Sequence, residues 1–267
     1  PVDSATLACD LTPWSNGIKV YAKAPCVTPW RTIIIAENIN ELVTSNIMLN
    51  LNEPSKIDSG SWIRPGKYVG IWWAIHLGKY TWSSGENHGA TTANTKAYID
   101  FAAANGFSGV LAEGWNVGWD GDWTKNGTTL DFTKAYPDFD IKEITDYAAS
   151  KGVELIGHHE TAGMATHYEN QLDKAFQYYK QYNVHVVKTG YVNPKLDNKE
   201  FHDGQFAVRH YRKVVETAAK YEIMIDNHEP VMPTGIQRTW PNLMTQEGIR
   251  GQEYDAWSPD GGNPPDH

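Results

Sequence analysis

No stretch of this 267-residue chain approaches the roughly 20 consecutive apolar residues that a helix needs to cross a bilayer. The run Ile33-Ile34-Ile35 is only strand-sized. Clusters of basic residues are also missing: 23 Lys and Arg stand against 32 Asp and Glu, for a net charge of -9, which argues against nucleic acid as the main partner. Cysteine is scarce. Cys9 and Cys26 are too few for a disulfide scaffold, and their positions leave a disulfide and two buried thiols equally open. The chain opens Pro1-Val2-Asp3 without a secretory leader, which leaves its location undecided.

What the chain does have is a hydrophobic content of 40 %, enough to exclude a disordered polypeptide and to fill a real core. Its eleven Trp and fourteen Tyr suit either core packing or the stacking of aromatic faces on sugar rings. Residues 1–60 differ in kind from the rest. Strand-like runs at Gly17–Tyr21 and Thr32–Ala36 alternate with Pro and Asn, a helix-like patch spans Ile39–Asn46, and Asn50-Leu51-Asn52-Glu53-Pro54 reads as a linker. This part is expected to be the tail of a β-rich domain.

From residue 61 to 267 an alternation of strands and helices sets in. Strands are expected at Tyr68–Ile75, Gly109–Ala112, Val153–Gly157, Val184–Val187, Ile223–Ile225 and Asn242–Thr245. Between them lie helices: Thr91–Asn105, Ile141–Lys151 with Ile144 and Ala148 on the face of Ile141, one carrying Tyr168, Leu172, Phe176 and Tyr179, and one carrying Tyr211, Val214, Val215 and Ala218. Alternating βα units imply a parallel sheet. Polar residues follow nearly every strand, and a closed barrel collects all such positions at one mouth, so a (β/α)8 barrel is favoured over an open doubly wound sheet. Six units are visible where a complete barrel has eight.

The strand ends carry the unusual chemistry. Glu113, Glu160, Glu229, Glu247 and Glu253 are expected to converge on one pocket, with His158, His159, Lys188 and His228 beside them. Carboxylates at the C-terminal ends of barrel strands read as catalytic. Crowded like charges demand either a protonated partner or a bound cation. Hydrolysis of a glycosidic bond uses an acid and a base, and a hard cation such as Ca2+ takes oxygen ligands. Zinc is the competing reading of the His/Glu cluster. However, the spacing is not that of His-Glu-x-x-His, and adjacent histidines on a strand point to opposite faces. Any one of these histidines has the alternative of being a satisfied core or loop residue.

Taken in order, Tyr68-Val69-Gly70-Ile71-Trp72-Trp73, His88-Gly89-Ala90-Thr91-Thr92, His158-His159-Glu160-Thr161, Val187-Lys188-Thr189-Gly190-Tyr191-Val192, Asn227-His228-Glu229, Pro233-Thr234-Gly235, Arg238-Thr239-Trp240-Pro241-Asn242-Leu243 and Glu247-Gly248-Ile249-Arg250-Gly251-Gln252-Glu253-Tyr254 resemble glycoside hydrolase family 97 over roughly residues 60–267. The resemblance implies an N-terminal β-sandwich, a catalytic TIM barrel and a small C-terminal β domain. It also implies a bacterial periplasmic or extracellular setting and an oligosaccharide substrate. Retaining members of that family carry an Asp nucleophile just after the strand-four lysine, where this chain has Gly190, so the resemblance is to the inverting α-glucosidase branch. It then assigns Glu253 as general acid and Glu160 with Glu229 as the base that activates water. Glu229, Glu247 and Glu253 match calcium ligands, and His158, Lys188 and His228 match sugar contacts. His159 and Glu113 are counted with that substrate-binding set. Two alternatives remain: a retaining α-galactosidase, for which Asp197 is the nearest carboxylate and lies far along its loop, and a carbohydrate-binding fragment without catalysis.

Overall fold

The computed structural model describes residues 6–249, 251–256 and 258. Its centre is a sheet of six strands: β1 (Tyr68–Ile71), β2 (Gly109–Ala112), β3 (Glu154–Glu160), β4 (Val186–Gly190), β5 (Met224–His228) and β6 (Leu243–Glu247). They pair in sequence order and all in parallel, as an incomplete (β/α) barrel does. The long helices α4 (Thr92–Ala104), α5 (Ile141–Ser150), α6 (Ala165–Gln181) and α7 (Gln205–Lys220) return the chain between strands. Three short ones precede them: α1 (Ile39–Val43), α2 (Ile47–Asn50) and α3 (Trp73–His76).

The helices form where their residues dictate. Thr91 caps α4 by accepting from the Asn94 N–H, and Asp140 caps α5 by accepting from the Glu143 N–H, each satisfying a donor that the first turn leaves open. Ile141, Ile144 and Ala148 of α5 are buried, as are Tyr168, Leu172, Phe176 and Tyr179 of α6 and Tyr211, Val214, Val215 and Ala218 of α7, so the expected apolar faces are the faces that pack. Each large side chain so buried contributes about 1.5–3 kcal/mol. The α6–sheet approach is close enough to require glycine: a Cβ on Gly157 would lie 2.5 Å from the Tyr179 ring.

Several expected boundaries move. The first strand stops at Ile71 rather than Ile75, because the backbone turns at Trp72 (φ -155°, ψ -54°) and Trp73–His76 wind into a helical turn. The strands expected to end at Gly157, Val187, Ile225 and Thr245 run on to Glu160, Gly190, His228 and Glu247. Their polar ends pair across the sheet, His158 beside Lys188, Glu160 beside Gly190, Lys188 beside Asp226 and His228 beside Glu247. Polarity there marks a wet barrel mouth and not the end of the strand. Between β5 and β6 the register shifts: Ile225 pairs with Leu243 but Asp226 pairs with Thr245, leaving Met244 as an extra residue.

Gly17–Tyr21 and Thr32–Ala36 are not strands. Among the described residues they have no pairing partner, and Ile35 is 90 % exposed. A strand-like pattern without a neighbouring strand has nowhere to place its backbone hydrogen bonds. Both cysteines are free thiols, and both are exposed rather than buried.

Candidate active site

The C-terminal strand ends open into a cavity of about 870 Å³. At one side Glu113 sits buried between two donors and the His158 ring. Lys188 Nζ lies 2.7 Å from Oε1, Trp82 Nε1–H donates to Oε2 at 3.2 Å, and His158 Nε2 stands 3.6 Å from Oε1. Burial alone would raise the Glu113 carboxyl, but the Lys188 ammonium, with His158 and the two hydrogen bonds, holds it down at about 2. Burial likewise opposes the charge on Lys188, and Glu113 restores it, leaving the ammonium held above its usual value. Burial pushes His158 down to about 3, so its imidazole is neutral. Trp119 stacks on that ring at 5.8 Å and on Trp82 at 6.0 Å, and Trp123 leans on Trp119 at 4.7 Å. The resulting aromatic wall faces the carboxylates.

Two further glutamates follow along the cavity lining. Glu160 Oε1 accepts the backbone N–H of Ala162 at 2.6 Å and of Val192 at 3.1 Å, and Glu229 Oε2 accepts the N–H of Tyr191 at 2.8 Å. Burial, and then the neighbouring Glu229, push the Glu160 carboxyl well above the usual carboxylate range. Glu229 holds a left-handed backbone, φ 48°. Gly190 lies against Glu160 so tightly that a Cβ would fall 1.9 Å from Glu160 Oε2. A side chain at position 190 would have to displace the Glu160 carboxylate. Asp197 is elsewhere: its carboxylate accepts the N–H of Thr166 at 3.1 Å and the Thr166 hydroxyl at the start of α6, and it does not line the cavity.

The third region combines β5, β6 and the turn after them. His228 lies between Glu247 (Nδ1 to Oε2, 3.4 Å) and Asp226 (Nε2 to Oδ2, 3.6 Å). Asp226 also accepts from Thr245 Oγ1 at 2.7 Å and from the Tyr68 hydroxyl, which reaches it from β1. Burial would raise the Asp226 carboxyl, yet these donors, led by His228, keep it far below its usual range. Burial raises Glu247, with Glu229 and Glu253 adding to the effect. Glu253 Oε1 accepts from Trp72 Nε1 at 3.1 Å and lies 3.0 Å from His76 Nε2, and the His76 hydrogen bond lowers its carboxyl.

Most of the expected residues meet: Glu113, His158, Glu160, Lys188, His228, Glu229, Glu247 and Glu253 all line the cavity. His159 does not, which corrects its expected place among substrate contacts. Strand alternation turns it to the helix side, where Tyr168 lies at hydrogen-bond distance (2.8 Å), the Tyr179 ring stacks at 4.9 Å, and no solvent reaches it. The expected cation ligands are also regrouped. Among the described residues the three whose ligand atoms lie within 4.8 Å of one another are His228, Glu229 and Glu247; His76 and Trp72 hold Glu253 instead. Glu229 and Glu247 offer the oxygen donors that a hard cation requires, and the charges of Glu229 and Glu253, which add to burial in raising Glu247, are a crowding that a cation would offset. The carboxylates therefore fit Ca2+, with the His228 nitrogen a less usual donor for it.

Unanticipated from the sequence were Trp82, Trp119, Trp123, His76, Asn193 and His202, all on the cavity lining. They lie outside the strand ends, in connections whose path no local pattern reveals.

Known proteins bear on this geometry. Glycoside hydrolase 97 matches residues 72–249, and the glycosyl-hydrolase 97 N-terminal family matches residues 3–54. A retaining α-galactosidase of Bacteroides thetaiotaomicron is 32 % identical over 235 residues, 86 % of this chain and 31 % of the relative. A probable retaining α-galactosidase of Streptomyces bingchenggensis is 27 % identical, over 88 % of this chain and 33 % of the relative. The chain thus spans about a third of the length of these curated relatives. Among solved structures, a family 97 enzyme of Pseudoalteromonas sp. strain K8 in complex with acarbose is 53 % identical with a TM-score of 0.88, covering 93 % of this chain and 39 % of that one, and a variant of it is known in complex with panose. A strand-end cavity of paired carboxylates, on an incomplete barrel matched over most of its length, places the chain in glycoside hydrolase family 97.

Proposed function

We propose that the protein containing this chain hydrolyses α-glucosidic bonds in oligosaccharides with inversion of anomeric configuration, and that it does so with bound calcium. The observation that carries this reading is the contact between Gly190 and Glu160: position 190 has no nucleophile, and the place a side chain there would take is held by the Glu160 carboxylate. A retaining mechanism needs a carboxylate that attacks the sugar, whereas an inverting one needs a carboxylate base with a water in front of it. The Pseudoalteromonas enzyme binds acarbose, and a variant of it binds panose, which favours an oligosaccharide substrate.

In this reading the sugar lies against the Trp82–Trp119–Trp123 wall with its hydroxyls toward Glu113, His158, Lys188 and His228. Glu253 protonates the departing oxygen. The N–H groups of Trp72 and His76 fix the orientation of the Glu253 carboxyl. Glu160 and Glu229 hold the attacking water and take its proton, their orientation set by the N–H groups of Ala162, Tyr191 and Val192. When bound at Glu229 and Glu247, Ca2+ supplies positive charge that offsets the crowding of carboxylates. Residues 1–60 belong to a preceding β-rich domain and 61–267 to the barrel, and the enzyme works in the bacterial periplasm or outside the cell.

The decisive experiment is NMR of the first product released from an α-glucoside. A β-configured hemiacetal supports inversion; an α-configured one sinks it. The second reading is a retaining α-galactosidase, favoured by the names of the two curated relatives. Turnover of p-nitrophenyl α-galactoside with retention, and none of the α-glucoside, would establish it in place of the first.

A further inference from the structure

One short run of backbone serves both glutamates of the proposed base. The Tyr191 N–H reaches Glu229 and the next one, from Val192, reaches Glu160. The residue that follows ties three loops together. Asn193 Nδ2 donates to the carbonyl of Ala162 at 2.8 Å and to the carbonyl of Thr124 at 2.9 Å. Its own carbonyl accepts from His202 Nε2 at 2.8 Å. Asn193 thereby joins the loop after β4 to those after β3 and β2. It does so in a backbone conformation, φ 138°, that side chains other than glycine rarely adopt. On its other side the His202 ring reaches the proposed base directly: Nδ1 lies 3.1 Å from the carbonyl of Glu229 and 2.8 Å from the Tyr211 hydroxyl, which also donates to that carbonyl at 3.1 Å.

We propose that Asn193 and His202 are positioning residues for the Glu160–Glu229 pair: together they fix the Tyr191–Val192 N–H groups and the Glu229 backbone, and so set where the two carboxylates stand relative to one another. This rests on the reading of that pair as the base. Ala162 shows the same logic, since its N–H holds Glu160 while its carbonyl is held by Asn193. A rigidly shared support matters here because the attacking water must be met by both carboxylates in one geometry, and a misplacement of about 1 Å costs on the order of 10²-fold in rate.

The test uses the full-length protein and four variants. Asn193→Asp keeps the shape but loses both N–H donors. Asn193→Gly loses them in a backbone conformation that glycine adopts without strain, so it guards against a failure to fold. His202→Ala removes the link, and His202→Gln retains a donor that can reach the Asn193 carbonyl. The first three are expected to lower kcat by about 10²-fold with KM nearly unchanged, and His202→Gln is expected to recover most of the loss. A rise in KM with kcat preserved would instead make these residues sugar contacts and overturn the proposal, as would unchanged kinetics. Hydrogen exchange supplies a measure free of any substrate: the peptide spanning residues 189–194 is expected to lose protection in Asn193→Gly while peptides of α6 and α7 keep theirs. Unaltered protection of 189–194 refutes the positioning role whatever the enzyme hydrolyses. Wild-type turnover of an α-galactoside with retention would defeat the functional reading alone, and the kcat comparison would then be made on that substrate.

Discussion

Position 190 concentrates the chemistry of the site in one missing side chain. Since a Cβ there would fall 1.9 Å from a carboxylate oxygen of Glu160, Gly190→Asp forces Glu160 out of its place and buries a second charge beside it. Overpacking of this kind costs about 1–3 kcal/mol before the charge is counted. Thermal unfolding of Gly190→Asp is therefore expected at a lower midpoint, with hydrolysis lost. Removing the obstruction as well, in Gly190→Asp with Glu160→Gly, is expected to restore the midpoint; equal instability of single and double variants would show that the clash is not the cause. The Glu113–Lys188 pair makes a second prediction at this scale. Lys188→Met strands a buried carboxylate, a loss of about 3–5 kcal/mol in denaturant titrations, and adding Glu113→Gln is expected to recover much of it. Because Lys188 depresses Glu113, the stability it confers is complete above the unfolded carboxyl value near 4.3 and is lost as pH falls toward 2. Urea midpoints for wild type are thus expected to drop over that interval and those of the double variant to drop less.

Among the elements, α6 meets the middle of β3 where only a glycine fits. A methyl group on Gly157 meets the Tyr179 ring at 2.5 Å, and the Tyr179 hydroxyl also accepts the His158 N–H at 2.9 Å. Gly157→Ala is expected to lower stability by about 1–3 kcal/mol and to raise KM, since displacing Tyr179 shifts the strand that carries His158; an unchanged KM would show that the strand end is independent of the helix. The faces of α5, α6 and α7 were legible in the sequence because a 3.6-residue period survives any tertiary context. The strand ends were not. His158–Glu160 and Lys188–Gly190 read as loop because polarity normally marks solvent, and only closure of the sheet into a barrel mouth makes a strand polar and enclosed at once. Glu160, Glu229 and Lys188 could be found from their place after apolar runs, and Gly190 from what it lacks. Asn193 and His202 could not, since most of their partners are backbone carbonyl groups, which carry no sequence signal. His159 was misplaced by being grouped with its neighbour, although the alternation that separates them was available. The runs Gly17–Tyr21 and Thr32–Ala36 show the converse: composition alone cannot supply the strand beside which such a segment would pair.

Viewed as a whole, an acidic molecule of net charge -9 gathers five glutamates around one cavity and provides Lys188 as the lone lysine or arginine on the described lining. The proposed base must be ionised to accept a proton, yet burial and Glu229 raise the Glu160 carboxyl. A cation on Glu229 and Glu247 weakens that repulsion and lowers Glu160. Chelation is accordingly expected to move the acidic limb of the kcat/KM profile to higher pH, in addition to lowering its height, and added Ca2+ is expected to return it. A profile that shrinks without moving would dissociate the cation from the base. The proposed cation ligands His228 and Glu247 owe their meeting to the extra residue at Met244. In unbroken register Asp226 would face Met244, His228 would face Gln246, and Glu247 would point away from the cavity toward the helices. The acidity of β6 is thus aimed by counting: the parity of the chain between Leu243 and Glu247 decides whether this barrel turns a glutamate to its cavity or to its back.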